Sequence, residues 1–229
     1  MTDKDNCKSL ESLLEIMQAL RAPEGCPWDT EQTPQSLTSY ILEEACELID
    51  AIEQGSLELI LDELGDLLFQ VVFLAQIFSE RKQFDFHDVA AGIADKLVRR
   101  HPHVFDQSTP RKNSAELDAQ WDAIKRSETT HQKSCLADHL PGKLPALQRA
   151  QKLVSRAYRA DRQAELPAID PQLTTRIFGA SGRRDSHLDE DSLGLVLFHL
   201  ARLAHDADLD AEAVLRKMTR KVTGSLDAE

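Results

Sequence analysis

The chain has no C-x-x-C pair, no Walker phosphate loop, no G-x-G-x-x-G and no G-x-S-x-G. P-loop, dinucleotide-binding and acyl-transfer chemistries therefore have no support. Cys7, Cys26, Cys46 and Cys135 are spaced too irregularly for a zinc site and read as free thiols. No run approaches the roughly 18 apolar residues that a membrane-spanning helix needs. Met1-Thr2-Asp3-Lys4-Asp5 is not a signal peptide, so the expected compartment is the cytoplasm. Positive charge is also in short supply, with 27 Lys and Arg against 39 Asp and Glu and a net charge of −12. Nucleic acid and anionic membranes would be repelled and are not expected as partners. A small phosphate-bearing molecule remains compatible where cations line its site. Alternating strand patterns are missing throughout, which leaves an all-α architecture.

What the chain does have is two short acidic clusters, Glu43-Glu44-x-x-Glu47 and Glu63-x-x-Asp66, on either side of Glu53-Gln54-Gly55-Ser56. Helical residues three or four apart share a face, so Glu44 pairs with Glu47 and Glu63 with Asp66. If the chain reverses at Gly55, Glu47 meets Glu63 and Glu44 meets Asp66 at matching heights on an antiparallel hairpin. Four like charges gathered there repel one another unless a cation joins them. An all-oxygen ligand set suits a hard ion, Mg²⁺ or Mn²⁺. The run from Leu64 to Phe78 is apolar nearly all round, which predicts a buried helix with Glu63 and Asp66 entering the core at its head.

Around this hairpin the apolar spacing predicts further helices. One covers residues 8 to 20 through Leu10, Leu13, Leu14 and Met17. Pro23, Gly25 and Pro27 then predict a loop ending at Asp29. The next helix is expected to start with Thr33 as N-cap and Pro34 in the first position. The hairpin's second arm is expected over about 57 to 80. Phe84 to Phe86 read as a loop before a helix that starts near Asp88 and ends at Arg99-Arg100-His101-Pro102. His101 and His103 flank a proline and read as a turn. Glu128-Thr129-Thr130-His131 is a single E-x-x-H, where a di-iron bundle needs two. A short helix carrying Trp121 is expected from a cap at Ser114.

The expected organisation is a catalytic domain over 1–128, a linker over 129–146 and a second helical domain over 147–229. Asp191 to Phe198 aligns without a gap on Asp62 to Phe69, and Lys217 to Lys221 aligns on Lys96 to Arg100. This reads as a tandem repeat. In the second copy Ser192 replaces Glu63 and Leu195 replaces Asp66, so that copy is expected to be degenerate and structural.

A carboxylate cluster that holds a cation suits a substrate bringing negative charge of its own, and metal-assisted hydrolysis of a phosphoanhydride is the reaction class that fits. Lys96, Arg99 and Arg100 can neutralise phosphates from the opposite side. Trp28 and Trp121 are the only tryptophans; each either stacks on a base or ribose or anchors packing.

Gly25-Cys26-Pro27-Trp28-Asp29, Gln32-Thr33, Leu42-Glu43-Glu44-Ala45-x-Glu47, Asp62 to Phe69 and Lys96-Leu97-x-Arg99-Arg100-His101-Pro102-His103-Val104-Phe105 together resemble the MazG family of nucleoside triphosphate pyrophosphohydrolases. The resemblance is close over about residues 8 to 126. Leu144 to Leu153 resembles the start of that family's second domain. The resemblance implies a helical fold dimerising into four-helix bundles, or a higher homo-oligomer. It implies Mg²⁺-dependent cleavage between the α and β phosphates, giving a nucleoside monophosphate and pyrophosphate. By it, Glu44, Glu47, Glu63 and Asp66 would ligate metal and Glu43 would be an outer carboxylate orienting water. Lys96, Arg99 and Arg100 would hold the triphosphate, and Trp121 would contact the base. The nearest other reading is a base-selective all-α dUTPase or dCTPase; the reading from a different class is a non-enzymatic helical interaction module.

Overall fold

The computed structural model describes residues 3–106, 113, 116–117, 120–121, 124, 140–168 and 189–226. It divides into two compact units, Met1–Glu128 and Thr129–Glu229. All regular structure among the described residues is helical.

The first unit contains α1 (Asp3–Leu20), α2 (Pro27–Glu31), α3 (Thr38–Gln54), α4 (Leu57–Glu80), α5 (Phe86–Arg100) and α6 (Pro102–Phe105). The α3–α4 turn is as the sequence predicts. Gly55 closes α3 at φ 75°, donating its N–H to Ala51 and Ile52 carbonyls, and Ser56 caps α4. A side chain at that φ is strained, so glycine suits the turn. α5 opens with a reciprocal box, in which Asp88 N–H donates to Asp85 Oδ1 at 3.0 Å and Asp85 N–H to Asp88 Oδ2 at 3.1 Å.

α4 is the axis of this unit, packing against α3, α1 and α5. Its Val72, Phe73 and Ile77 join Met17 and Leu37 in a fully enclosed core. Truncating a ring such as Phe73 costs about 3–5 kcal/mol at a site of this kind.

Several boundaries differ from the sequence reading. α3 begins at Thr38, not Pro34. Thr33 does cap, but it caps only a turn: Ser36 N–H donates to Thr33 Oγ1 and Thr33 N–H to Ser36 Oγ. The expected loop at 23–29 contains α2, with proline supplying its first-turn geometry. Phe86 is helical, and the His101–His103 turn is a one-turn helix. The cap before Trp121 is Asn113, whose Oδ1 accepts Glu116 N–H, one residue earlier than expected. Ser114 and residues 129–139 of the expected linker lie outside the described residues.

The main correction concerns α4. Its N-terminal half is not buried in the chain. Leu57, Leu61, Leu64, Leu68 and Val71 form an exposed stripe with alternating four- and three-residue spacing. α3 shows Leu42, Ile49 and Ile52 in the same manner. The apolar run was read as core, but the fully buried residues of α4 lie only from Gln70 onward.

The second unit contains α7 (Ala146–Arg159), a 3₁₀ turn (Gln163–Glu165), α8 (Glu190–Asp206) and α9 (Ala211–Leu226). Val154 and Ala157 of α7 are buried, as are Val196 and Ala201 of α8. Gln151 pins the α8–α9 turn from α7: its Nε2 donates to Leu209 O at 2.7 Å and its Oε1 accepts Ala211 N–H at 2.8 Å. α4 and α8 end alike. Lys82 (φ 54°) and Asp208 (φ 55°) are left-handed, and Gln83 and Leu209 donate back to Phe78 and Ala204 carbonyls.

Candidate functional site

The sequence places carboxylates on adjacent arms of a hairpin, and tight reversal at Gly55 sets their heights. Glu44 of α3 and Glu63 and Asp66 of α4 each present an oxygen within 4.8 Å of the others. That is the span of ligand atoms able to share one small cation. Glu44 and Glu63 are half-buried and Asp66 is exposed, so the expected entry of Asp66 into a core does not hold.

Electrostatics follow from this crowding. Glu44 is pushed above the ordinary carboxylate range, first by desolvation and then by Asp66, Glu47, Glu63 and Glu43. Glu63 is raised likewise, by desolvation and by Glu47, Asp66 and Asp62. The neighbours that raise these two carboxyls are all acidic. Glu63 Oε2 is shielded from solvent and has no hydrogen-bond partner within the described residues. A shielded oxygen among like charges is a site that a hard cation completes, and the all-carboxylate donor set fits such an ion.

Glu47 lies outside the three-residue group, though it is near enough to raise both Glu44 and Glu63. Glu43 is exposed on α3 and acts on Glu44. Lys96, Arg99 and Arg100 lie on the last turns of α5, with Lys96 and Arg100 half-buried and Arg99 exposed.

Arg100 and Trp121 are brought together: the guanidinium lies 5.1 Å from the indole centroid. His101 completes the group, its ring 5.2 Å from Trp121 and its Nδ1 2.7 Å from Leu97 O. Trp28 rides on α2, 48% exposed, edge-on to Tyr40 at 5.9 Å and Phe73 at 6.4 Å.

Two contributors escaped the sequence reading. Arg21 anchors α2 to the body of the unit. It donates to Asp29 and Gln32 carbonyls and, bidentately, to Glu80. Nothing in the local pattern pairs residues so far apart. Gln70 is 5% exposed, on the face of α4 that also carries Glu63 and Asp66. Its signal was available, since it is the one polar residue between Leu67 and Ala75. The concavity of about 260 Å³ between α1, α4 and the start of α5 includes none of the clustered carboxylates.

Residues 32–105 match the model of the MazG nucleotide pyrophosphohydrolase domain. The chain is 42% identical over 224 residues to a protein of Escherichia coli (strain K12) named nucleoside triphosphate pyrophosphohydrolase, covering 93% of this chain and 83% of that one. It is 37% identical over 212 residues to the nucleoside triphosphate pyrophosphohydrolase/pyrophosphatase MazG of Thermotoga maritima, covering 92% and 81% respectively. A nucleoside triphosphate pyrophosphohydrolase of Mycobacterium tuberculosis is 38% identical over 167 residues, covering 72% of this chain and 49% of the relative.

Proposed function

We infer what the chain does from the premise that it belongs to the MazG family of nucleotide pyrophosphohydrolases. It is an enzyme that hydrolyses nucleoside triphosphates to nucleoside monophosphate and pyrophosphate. The observation that carries this reading is the convergence of Glu44, Glu63 and Asp66 within 4.8 Å, in the segment that matches the family.

The ion is Mg²⁺, with Mn²⁺ able to substitute. Glu44, Glu63 and Asp66 hold it, with Glu47 reaching in from the next turn of α3. A bound divalent ion supplies charge neutralisation at the phosphates and a water of lowered pKa. Glu43 orients the attacking water from outside the ligand set. Lys96, Arg99 and Arg100 take up the charge of the departing pyrophosphate. Trp121, held by Arg100 and His101, and Trp28, on α2, face the nucleoside.

The enzyme works as a homodimer or a higher homo-oligomer. Support comes from the stripe Leu57, Leu61, Leu64, Leu68 and Val71 and from Val89, Ile93 and Leu97 on α5, all at least 39% exposed. Helix stripes at this spacing pack against other helices. A second copy would bury them and exclude water from the hairpin.

Catalysis belongs to residues 1–128. α8 carries Ser192 and Leu195 where α4 carries Glu63 and Asp66, so residues 147–229 form a degenerate repeat that supports the fold.

Anion-exchange analysis of products from a panel of NTPs, with and without Mg²⁺ and beside Glu63→Gln, tests the assignment. The expected result is metal-dependent monophosphate and pyrophosphate, lost in the variant. Orthophosphate and diphosphate as products would overturn the cleavage site.

A further inference from the structure

The acidic cluster accounts for the phosphates but leaves the nucleoside unexplained, and one side chain beside it has an unmet need. Gln70 is 95% enclosed, and its Oε1 is shielded from solvent without a hydrogen-bond partner among the described residues. A buried acceptor left unpaired forfeits its hydration without replacement and destabilises the fold. Native proteins satisfy most such groups with protein or ordered water, and beside a substrate site a ligand group can fill the same place.

Its position says where that partner would stand. Asp66, Gln70 and Phe73 follow one another at helical spacing along α4, and Glu63 lies two turns before Gln70 on the same face. Gln70 thus sits about 6 Å along the helix axis from Asp66. Glu44 and Asp66 meet across the hairpin. Four residues farther from the turn on each arm, the same antiparallel register sets Tyr40 opposite Gln70. Tyr40 and Phe73 both touch the Trp28 ring, at 5.9 and 6.4 Å. Gln70 is therefore one turn beyond the carboxylates along α4, and Phe73, one turn farther on, belongs to an aromatic wall whose outer member, Trp28, is half-exposed. With an α-phosphate at the carboxylates, a sugar and base extend over that distance.

We propose that Gln70 is a substrate-binding residue whose Oε1 accepts a hydrogen bond from an N–H or O–H of the nucleoside, beside the Trp28–Tyr40–Phe73 wall. This rests on the pyrophosphohydrolase reading of the hairpin. The donor is either a nucleobase N–H or a ribose hydroxyl. Both are neutral donors, matched to an uncharged acceptor. A carboxylate at this position would add to the repulsion among Glu44, Glu63 and Asp66, whereas an amide offers an acceptor without charge.

The test compares the full chain with Gln70→Met, which keeps the volume and removes both polar atoms. Pyrophosphate release is measured for ATP, GTP, ITP, CTP and UTP and for each ribo/deoxy pair, together with the thermal midpoint with and without Mg²⁺. The expected result is a retained midpoint and Mg²⁺ shift with kcat/KM for the preferred nucleotide reduced about tenfold, so that the ranking flattens. A base donor flattens the ranking among bases; a sugar donor collapses the ribo/deoxy ratio. Uniform loss across all nucleotides with both rankings intact would make Gln70 a packing or water-binding residue and overturn the proposal. Should the methionine variant not fold, Gln70→Asn, which pulls the oxygen back by one methylene, is read by the same criteria. Failure of the wild-type chain to hydrolyse any nucleotide would remove the underlying assignment instead, an outcome distinct from an unchanged ranking.

Discussion

Arg21 and Glu80 are 59 positions apart in the chain and meet in a bidentate pair, Nε to Oε1 at 2.8 Å and Nη2 to Oε2 at 2.7 Å. The guanidinium is 8% exposed and the carboxylate 36%. Arg21 also reaches the Asp29 and Gln32 carbonyls and lies 5.5 Å from the Phe73 ring centroid. One side chain thus ties α1 to the far end of α4 and fixes α2, the helix that carries Trp28.

The pair makes stability depend on pH in a defined direction. Hydrogen bonds from Arg21, joined by Gln76, hold the Glu80 carboxyl below its ordinary value of 4.5. A carboxyl depressed on folding contributes stability that is present above the unfolded value and lost as pH falls through the folded one. Glu80→Gln is expected to cost about 1 kcal/mol at pH 7, a figure moderated by Glu80's exposure. Urea denaturation at neutral pH and well below 4.5 measures the gap, which should close in acid. A gap that persists there would show that the pair acts by packing.

Divalent metal should act on the hairpin in two opposed ways. Asp66→Asn relieves like-charge repulsion, so it is expected to raise the thermal midpoint in EDTA yet abolish the rise caused by Mg²⁺. For the wild-type chain that rise corresponds to about 2.7 kcal/mol at a hundredfold excess over Kd. Glu44 and Glu63 are raised on folding, so protons compete with the ion. The Mg²⁺ effect should therefore weaken as pH falls through their raised values. Differential scanning calorimetry reads both signs, and equal Mg²⁺ shifts in wild type and variant would remove the metal site.

The exposed stripe on α4 predicts self-association. Leu61 is 75% exposed, so Leu61→Glu should be nearly neutral for the fold of one chain. Sedimentation of the variant is expected to show monomers with little pyrophosphohydrolase activity. A fully active monomer would contradict the oligomeric reading.

Gly55 is required by its φ of 75°. Gly55→Ala meets no neighbouring atoms, so its cost should be the backbone strain alone, about 1 kcal/mol. Because the same turn sets the register of Glu44 against Asp66, Mg²⁺ affinity should drop along with stability. Isothermal titration of Mg²⁺ checks the second part; an unchanged affinity would separate the turn from the site.

In the second unit, Gln151 both donates to and accepts from the α8–α9 turn. Gln151→Leu should destabilise that unit by about 1–2 kcal/mol while leaving kcat for NTP hydrolysis unchanged. Limited proteolysis, with cleavage near Leu209 accelerated, is the direct readout.

Much of the hairpin could be read before any coordinates. Periodicity placed α4 over about 57 to 80, where it spans Leu57–Glu80, because a long apolar run bounded by a serine cap leaves few alternatives. Glycine at position 55 marked the reversal because it adopts a left-handed cap without a Cβ penalty. The α3 start was misread because Thr33 and Pro34 do begin a capped turn, and only the packing of Leu37 into the core decides that the helix proper begins after it. Trp28 could not be placed, since a five-residue helix has too few positions to show a period.

Local chemistry by itself therefore determined the helical class, the hairpin and the acidic residues at its centre, since helix period, caps and turn residues act over a few positions. Tertiary structure alone decided which carboxylates meet, that α4 leaves an apolar stripe exposed, that Arg21 reaches Glu80, and that Gln70 is buried with no partner for its oxygen among the described residues. Those facts depend on distances between residues far apart in the chain, and such distances are set by the packing of whole helices.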